Sequence, residues 1–346
     1  MPFLEPPKRG GQGGKIFKNV FSVIIPLYNK APYVEKAIRS VAVQTFREFE
    51  LIVIDDGSTD KSLAIAQKTL STVFPPLGGQ GANPLGGWGA VTQFNSGVSV
   101  ARNNGVALAK YPYICFLDAD DWWAPTFLEE MKALIDKYPD AGIYGSGYFT
   151  VKNGRERKAV VGVEPGFERG YINYCEVYAR TLIMPLWTGA VVVPKSVLVE
   201  ENGFKPTLKL GEDFDLWLRI SLHHPVVLLN KPLAYYNQDV EAANRAIGLK
   251  FYNPEEHMLF SDYGELMKNK DFKTLYDKLA IYSLLPYYLN NVNSAEVGRI
   301  LNQIDWKSAR SDYEKYYRLP KWMVIIYFKI MTLLSAVKKK IYLHRN

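Results

Sequence analysis

The sequence predicts an α/β fold with a mostly parallel sheet that carries helices on both faces. Three short apolar runs, at residues 20–27, 51–54 and 113–116, are typical of buried strands. Segments with helical spacing follow the first two runs, and continuous apolar strands that alternate with helices form parallel sheets covered on both faces. Polar residues follow each run.

The first strand ends at Tyr28 and Asn29, and the spacing after it predicts a helix. Pro32 suits the first position of a helix, where its missing N–H costs nothing. Apolar residues then recur at helical spacing, namely Val34, Ala37, Ile38 and Val41. The second strand ends in Asp55 and Asp56, and another helical segment follows it.

The third strand is followed by three acidic residues, Asp118, Asp120 and Asp121. Crowded carboxylates raise one another's pKa, and a divalent cation removes that repulsion. Oxygen ligands suit Mg²⁺ or Mn²⁺, and Mg²⁺ usually takes one or two carboxylates together with substrate phosphates. The cluster therefore predicts a metal site that holds a diphosphate, with an acidic turn before the helix at Pro125 as the alternative.

These polar clusters are expected to form one site. In open α/β sheets, ligands bind beyond the carboxyl ends of the parallel strands. The pairs Tyr28–Asn29, Asp55–Asp56 and Asp118–Asp120 all occupy such ends. Three clusters of this kind in one half of a domain indicate a binding site rather than three separate helix caps.

Four motifs in order carry a family resemblance: Ser-Val-Ile-Ile-Pro-Leu-Tyr-Asn, Ile-Asp-Asp-Gly-Ser-Thr-Asp, Ala-Arg-Asn-x-Gly and Phe-Leu-Asp-Ala-Asp-Asp. Together they resemble the nucleotide-sugar-binding half of the family 2 glycosyltransferases, which have the Rossmann-like GT-A fold. The resemblance runs from about residue 20 to about residue 236. It implies an inverting transferase of the hexosyl type that uses a nucleotide sugar, with a UDP-sugar as the expected donor.

The resemblance also implies roles for individual residues. Tyr28 would stack on the base and Asp56 would accept a hydrogen bond from the uracil N–H, while Arg102 would lie near the nucleotide or its diphosphate. Asp118 would contact the ribose or a metal-bound water, and Asp120 would ligate Mn²⁺ or Mg²⁺. Asp121 could share that duty, and the sequence does not separate the three acids. The full set implied for nucleotide-sugar binding is Pro26, Tyr28, Asn29, Asp56, Arg102 and Asp118.

Residues 209–220 are the candidate segment for the general base. The helix dipole favours acids in the first turn of a helix. The alternative for Glu212 and Asp213 is therefore that they only stabilise the start of the helix. The family pattern of Glu-Asp followed by Trp-x-Arg falls here and points to Asp213 as the base. Asp215 is expected to be solvated or bonded within the helix.

The acceptor side is less defined. The family places the loop before the next strand at the acceptor, so Trp187, Thr188 and Glu212 are candidates, with core packing as the alternative for Trp187. A single displacement would invert the anomeric carbon, and no separate nucleophilic carboxylate is visible. The chain also lacks Gln-x-x-Arg-Trp, a motif of processive polysaccharide synthases, which favours transfer of one sugar.

The chain of 346 residues suits one large α/β domain with an added lobe. We expect a disordered tail over residues 1–19 and a glycosyltransferase domain over 20–236, interrupted by a flexible Gly/Pro-rich insertion at about 75–90. A helical lobe is expected over 237–319. Two cysteines suggest reduced thiols, and residues 1–14 lack the apolar core of a signal peptide, so the cytoplasm is the expected compartment.

The last segment, residues 320–346, has six basic residues and no acidic one. On a helix, Trp322, Ile326 and Ile330 share one side with Leu333 and Val337. The apolar run is short for a bilayer span, so we expect a helix in the interface of an anionic membrane, at the inner face of the plasma membrane. A helix packed on the domain is the alternative. Nucleic-acid binding is not expected, because the basic residues are concentrated in this apolar tail.

The sequence thus predicts a peripheral membrane enzyme of polysaccharide biosynthesis in the cell envelope. Its partners would be a nucleotide-sugar donor and a glycan or lipid-linked glycan acceptor. Transfer to a polyprenyl phosphate is the alternative within the fold. A nucleotide-sugar-binding module without turnover is the alternative from another class, and the presence of both Asp120 and Asp213 argues against it.

Overall fold

A computed structural model describes residues 21–74, 88–240, 251–309 and 311–331. The chain divides after Gly248 into two compact units. Several predicted segments lie outside the described residues: the N-terminal tail, residues 75–87 of the insertion and residues 332–346 of the basic segment.

The first unit alternates strands and helices, as the apolar runs predict. Its strands are β1 (Phe21–Leu27), β2 (Phe49–Asp55), β3 (Trp88–Thr92), β4 (Tyr113–Phe116), β5 (Trp122–Trp123), β6 (Ile143–Lys152), β7 (Arg155–Lys158), β8 (Arg169–Ile172), β9 (Val191–Pro194) and β10 (Val226–Asn237). Its helices are α1 (Val34–Ala42), α2 (Ser62–Val73), α3 (Val98–Leu108), α4 (Phe127–Lys137), α5 (Tyr174–Thr181), α6 (Lys195–Glu200) and α7 (Glu212–His223). A 3₁₀ turn, Thr188–Ala190, precedes β9.

All ten strands join one sheet, in which the order β3-β2-β1-β4-β9-β6-β10-β5 forms the main path. Strands β1 to β4 pair in parallel, as do β6 and β10. Strand β9 lies antiparallel between β4 and β6, so β6 and β10 run in the same direction as β1 to β4. The sheet is mostly parallel, and the carboxyl ends of its main strands meet at one edge.

Both faces of the sheet are covered. Alternate residues of β1, from Phe21 to Leu27, are buried in a core that includes apolar residues of α1 and α4. On the other face α3 lies very close to β1, since a Cβ added to Gly105 would come within 2.4 Å of the Ile24 side chain. This packing explains why the strand runs are apolar without alternation.

One boundary differs from the expectation. Strand β3 begins at Trp88, inside the range assigned from the sequence to the insertion, and it pairs in parallel with β2. The Trp88 ring stacks on Phe74 at a centroid distance of 6.4 Å. The sequence does not predict this strand because it is only five residues long and has few β-branched residues. The glycines around Trp88 favour a loop prediction instead.

The second unit is helical, as expected. It contains α8 (Lys270–Ser283), α9 (Leu285–Asn290), α10 (Ser294–Asn302), α11 (Trp306–Ala309) and α12 (Glu314–Arg318), and residues 321–331 are also helical. Within it, His257 is buried among Tyr252, Phe260 and Tyr287, and burial lowers its pKa to about 4. Over the described parts of the chain, we find no helix with both the length and the apolar character needed to cross a bilayer.

Candidate active site

The carboxyl ends of β1 and β2 place Tyr28 and Asp56 side by side. Leu27 pairs with Asp55, and the backbone N–H of Asp56 donates to the carbonyl of Leu27 at 2.8 Å. Tyr28 is 45% exposed, whereas Asp56 is buried. The predicted base-stacking ring therefore faces solvent beside a carboxylate that is held in place by the sheet.

Asp56 also holds the loop that follows β3. Its carboxylate accepts hydrogen bonds from the Gln93 side chain and from the backbone N–H groups of Ser96 and Gly97, each at 2.8 Å. An ionised carboxylate has about four acceptor sites, so about one remains for a ligand N–H.

Two other predicted nucleotide residues shape this edge. Pro26 lies within β1, where it is buried and pairs with Ile54. Asn29 has a positive φ of 48°, and its side-chain oxygen accepts from the backbone N–H of Thr59 at 2.9 Å. Asn29 thereby ties the end of β1 to the loop after β2, and this contact sets the position of Tyr28.

Arg102, on α3, connects the residues after β4 to the first turn of α7. Its guanidinium lies 2.8 Å from Asp118 and 3.0 Å from Glu212, and it is almost completely buried. Burial alone would lower the pKa of Arg102, but the attraction of Asp118 and Glu212 outweighs it, so the pKa is raised and the side chain stays charged. The Nε–H of Arg102 and the hydroxyl of Ser99 are buried without a partner among the described residues.

The three acids after β4 have different surroundings. Asp118 is paired with Arg102, while Asp120 lies 2.6 Å from the ammonium group of Lys30. Burial raises the pKa of Asp120 against the attraction of Lys30. Asp121 is buried and accepts from the backbone N–H of Asn237 at 2.7 Å. Burial, followed by repulsion from Asp120 and Asp118, raises the pKa of Asp121 well above its usual range.

These surroundings decide how a metal could fit. No group of three His, Cys, Asp or Glu side chains suited to a metal occurs in the described residues. Asp121 already bonds the backbone, which leaves Asp118 and Asp120. Two carboxylates with substrate phosphates are a usual Mg²⁺ arrangement, so Asp118 and Asp120 would be the residues to hold a divalent cation beside a diphosphate. Asp120 is paired with Lys30 in the structure.

Asp213 is the second residue of α7, which begins directly after Gly211, whose φ is 79°. The Thr188 hydroxyl donates to its carboxylate at 2.9 Å, and the backbone N–H of Phe214 donates at 2.8 Å. Burial raises the pKa of the neighbouring Glu212, followed by repulsion from Asp213, while Arg102 opposes both. Thus Asp213 is oriented by hydrogen bonds, and Glu212 is engaged by Arg102.

The acceptor-side candidates are placed unequally. Trp187 is 9% exposed, and its ring packs on Tyr148 and Tyr236 at centroid distances of 5.4 and 5.0 Å. Core packing, the alternative for Trp187, therefore describes its position. Thr188 is buried as well, but it reaches the site through its hydrogen bond to Asp213.

Part of the chain matches a known protein family. Residues 22–177 match the model of glycosyl transferase family 2. This part of the chain belongs to glycosyl transferase family 2.

Relatives of the family 2 domain include an uncharacterized glycosyltransferase of Rickettsia felis, 28% identical over 62% of this chain and 32% of the relative. The amylovoran biosynthesis glycosyltransferase AmsB of Erwinia amylovora is 28% identical over 63% of this chain and 69% of the relative. The aligned part of this chain thus spans about a third of the length of the Rickettsia felis protein.

Among solved structures, Staphylococcus aureus TarS (residues 1–349) in complex with UDP-GlcNAc matches with a TM-score of 0.62 at 20% identity, over 84% of this chain and 83% of that chain. The corresponding complex with UDP matches with a TM-score of 0.60 at 20% identity, over 84% and 82% of the two chains. At this identity the likeness shows the fold alone, and it confirms the predicted GT-A fold.

Sequence reasoning missed two features of the family 2 domain. Lys30 directly follows Asn29, and only the folded chain brings its ammonium group to Asp120. A cavity of ≈ 290 Å³ also lies beside Asp120, with Tyr33, Lys36 and Trp122 among its lining residues. The Lys36 ammonium lies 2.8 Å from the centroid of the Trp122 ring. Neither feature has a local sequence signal, because each joins separate elements.

A buried ion network around Asp215 anchors α7, the helix that carries the base candidate Asp213. Asp215 is fully buried and lies 2.7 Å from the Lys205 ammonium and 2.9 Å from the Arg219 guanidinium. Arg219 also donates to the carbonyls of Glu201 and Gly203. The expectation of a solvated Asp215 is therefore wrong, whereas its bonding within the helix to Arg219 is confirmed.

We expect Asp215→Asn to lower the free energy of unfolding by about 3 kcal/mol, because it removes the carboxylate at 2.9 Å from the mostly buried Arg219 and leaves this cation the more distant Glu201 at 3.6 Å. Urea unfolding followed by circular dichroism measures this change. The control is Glu35→Gln, which removes an exposed partner of Arg39 and should cost less than about 1 kcal/mol. Equal stability of Asp215→Asn and wild type would show that the network does not anchor α7.

Proposed function

We propose that this chain transfers one sugar from a nucleotide sugar, expected to be a UDP-sugar, to a hydroxyl of a lipid-linked or surface-polysaccharide acceptor. One observation carries the proposal: the buried Arg102 joins Asp118 at the donor edge to Glu212, the neighbour of Asp213. A single ion-pair network thus links the candidate donor site to Glu212, the residue before the candidate base. The names of the matched proteins, amylovoran biosynthesis for AmsB and complexes with UDP and UDP-GlcNAc for TarS, support this assignment.

The donor would bind along the carboxyl edge of β1, β2 and β4. Tyr28 offers an exposed flat ring, and Asp56 keeps about one acceptor site for the N–H of the base. The diphosphate would lie near Arg102, whose buried Nε–H and the nearby Ser99 hydroxyl still need hydrogen-bond acceptors.

Asp120, with Asp118, would hold Mn²⁺ or Mg²⁺ together with the diphosphate. Such a cation neutralises the negative charge that builds on the leaving diphosphate. Lys30 would leave Asp120 as the cation binds, and its ammonium group would remain close enough to add positive charge beside the phosphates.

Asp213 would act as the general base. It takes the proton from the acceptor hydroxyl as that oxygen attacks the anomeric carbon, and a positioned base contributes about 10²–10⁴-fold. The Thr188 hydroxyl fixes the orientation of its carboxylate. A single displacement exchanges the two faces of the anomeric carbon, so the product would have the inverted configuration.

Release of UDP from a panel of UDP-sugars, with Mn²⁺ and a lipid-linked glycan acceptor, tests the proposal. We expect UDP release that requires the acceptor and the metal. Donor binding without any release of UDP would instead indicate a nucleotide-sugar-binding module, and it would contradict the proposed transfer.

We further propose that residues 321–331 contact an anionic membrane, where a lipid-linked acceptor would be found. On this helix Val324 is buried, whereas Trp322, Ile326 and Ile330 are 63%, 48% and 51% exposed. Lys321 and Lys329 flank these side chains. Exposed apolar residues with cations beside them are typical of helices that lie in the membrane interface.

The triple variant Trp322→Ser, Ile326→Ser and Ile330→Ser should bind anionic vesicles much more weakly than the wild-type full-length chain. Wild type should co-sediment with such vesicles, less at high salt, because each cation near an anionic surface contributes roughly 1 kcal/mol. Substitution is preferable to truncation here, since truncation would also remove the buried Val324.

The matched control is Tyr282→Ser, which removes another exposed apolar side chain of the second unit and should not change co-sedimentation. Equal binding of wild type and the triple variant would contradict the proposed membrane contact.

A further inference from the structure

Phe94 is the most exposed of the large apolar residues at the candidate donor edge. Its side chain is 95% exposed, and it lies in the loop that follows β3. Single exposed apolar residues are common on protein surfaces and need no special explanation. Phe94 stands out because of its place in the sheet, and because the loop around it is tightly held.

The strand register places Phe94 one residue beyond the position in line with Tyr28. Thr92 pairs with Asp55, which in turn pairs with Leu27, so β3, β2 and β1 end in one row. The row continues with Gln93, Asp56 and Tyr28, and Phe94 follows Gln93. The two aromatic residues thus lie on either side of Asp56, at the ends of the two strands that flank β2.

The spacing of this row suits a flat ligand. Neighbouring strands lie about 4.8 Å apart, so the ends of β1 and β3 are separated by roughly 10 Å. Stacked aromatic groups have centroids about 4.5–7 Å apart, and a base between two rings needs two such steps. A base that donates its N–H to Asp56 would therefore have room for an aromatic ring on each side.

The loop that carries Phe94 is fixed by hydrogen bonds. Asp56 accepts from Gln93, Ser96 and Gly97, and the Ser96 hydroxyl donates to the Phe94 carbonyl at 2.8 Å. The loop also rests on Gly57, where an added Cβ would meet the backbone nitrogen of Asn95 at 3.0 Å. Because the backbone of the loop is already fixed, binding of a ligand would cost only the ordering of the Phe94 side chain.

We propose that Phe94 is the second aromatic clamp of the donor site and stacks on the nucleoside base opposite Tyr28. This inference rests on the proposed nucleotide-sugar donor and adds a residue that fixes its base. Phe94 would contribute only to binding of the base, since the diphosphate is held elsewhere, near Arg102 and Asp120.

Calorimetric titration with UDP and with inorganic pyrophosphate, both with Mn²⁺, separates these contributions. Base–aromatic stacking predicts that Phe94→Ala weakens UDP binding by about 5- to 100-fold and leaves pyrophosphate binding unchanged. Phe94→Trp should retain UDP affinity and add tryptophan fluorescence that UDP quenches. Val160→Ala, a change at another exposed apolar residue, is the control and should behave as wild type.

The outcomes distinguish this inference from the function on which it rests. If wild type binds UDP and Phe94→Ala binds it within about twofold, the clamp is wrong and the donor site stands. An equal loss of UDP and pyrophosphate affinity would also overturn it, since Phe94 would then act on the whole site. If wild type does not bind UDP, both the clamp and the proposed donor fall.

Discussion

Asp213→Asn should lower kcat by about 10²- to 10⁴-fold and leave the dissociation constant of the donor nearly unchanged. Asparagine keeps the shape of the side chain and can still accept from the Thr188 hydroxyl, which donates at 2.9 Å in the structure. It cannot take the proton of the acceptor hydroxyl. Steady-state UDP release and calorimetric titration of the donor measure the two quantities separately.

Asp136→Asn is the matched control, because this acid is half exposed on the surface of α4. It should leave both kcat and donor binding as in wild type. A change confined to KM in Asp213→Asn would assign the base elsewhere. Glu212 would then be the next candidate, although its carboxylate is already paired with Arg102 at 3.0 Å.

Asp120→Ala should abolish the part of UDP binding that depends on Mn²⁺, together with turnover. Asp121 is buried and bonded to the backbone of Asn237, so it cannot take over the role of a lost ligand. UDP titrations with and without Mn²⁺ measure this dependence, and Asp136→Ala is the matched surface control.

The variant Lys30→Met tests whether the Lys30 ammonium group and Mn²⁺ compete for the Asp120 carboxylate. Because the Lys30 ammonium lies 2.6 Å from the Asp120 carboxylate, its removal should strengthen Mn²⁺ binding in the absence of nucleotide.

For Asp120→Ala, an undiminished Mn²⁺ dependence of UDP binding would contradict the assignment of Asp120 as a metal ligand.

The sequence predicts well what local patterns encode. The strands β1, β2 and β4 are apolar runs, and the polar residues after them had to meet at one edge once the strands were parallel. Tyr28, Asp56 and Asp118 therefore lie where the pattern places them. Similarly, the acids that begin α7 follow a glycine and precede an apolar helical face.

Contacts between distant segments could not be predicted in this way. Arg102 and Glu212 are separated by 110 positions, and no periodicity links α3 to α7. The antiparallel β9 between β4 and β6 is equally hidden, because register and direction depend on the whole sheet. The different surroundings of Asp118, Asp120 and Asp121 follow from such contacts, with Arg102, Lys30 and the backbone of Asn237.

Calorimetric titration of a UDP-sugar into the full-length protein, with and without Mn²⁺, is the direct test of the donor site. We expect saturable binding that Mn²⁺ strengthens, that Asp120→Ala weakens and that Asp213→Asn leaves intact. The absence of binding by any nucleotide sugar, with or without the metal, would contradict the assignment of the β1, β2 and β4 edge as a donor site.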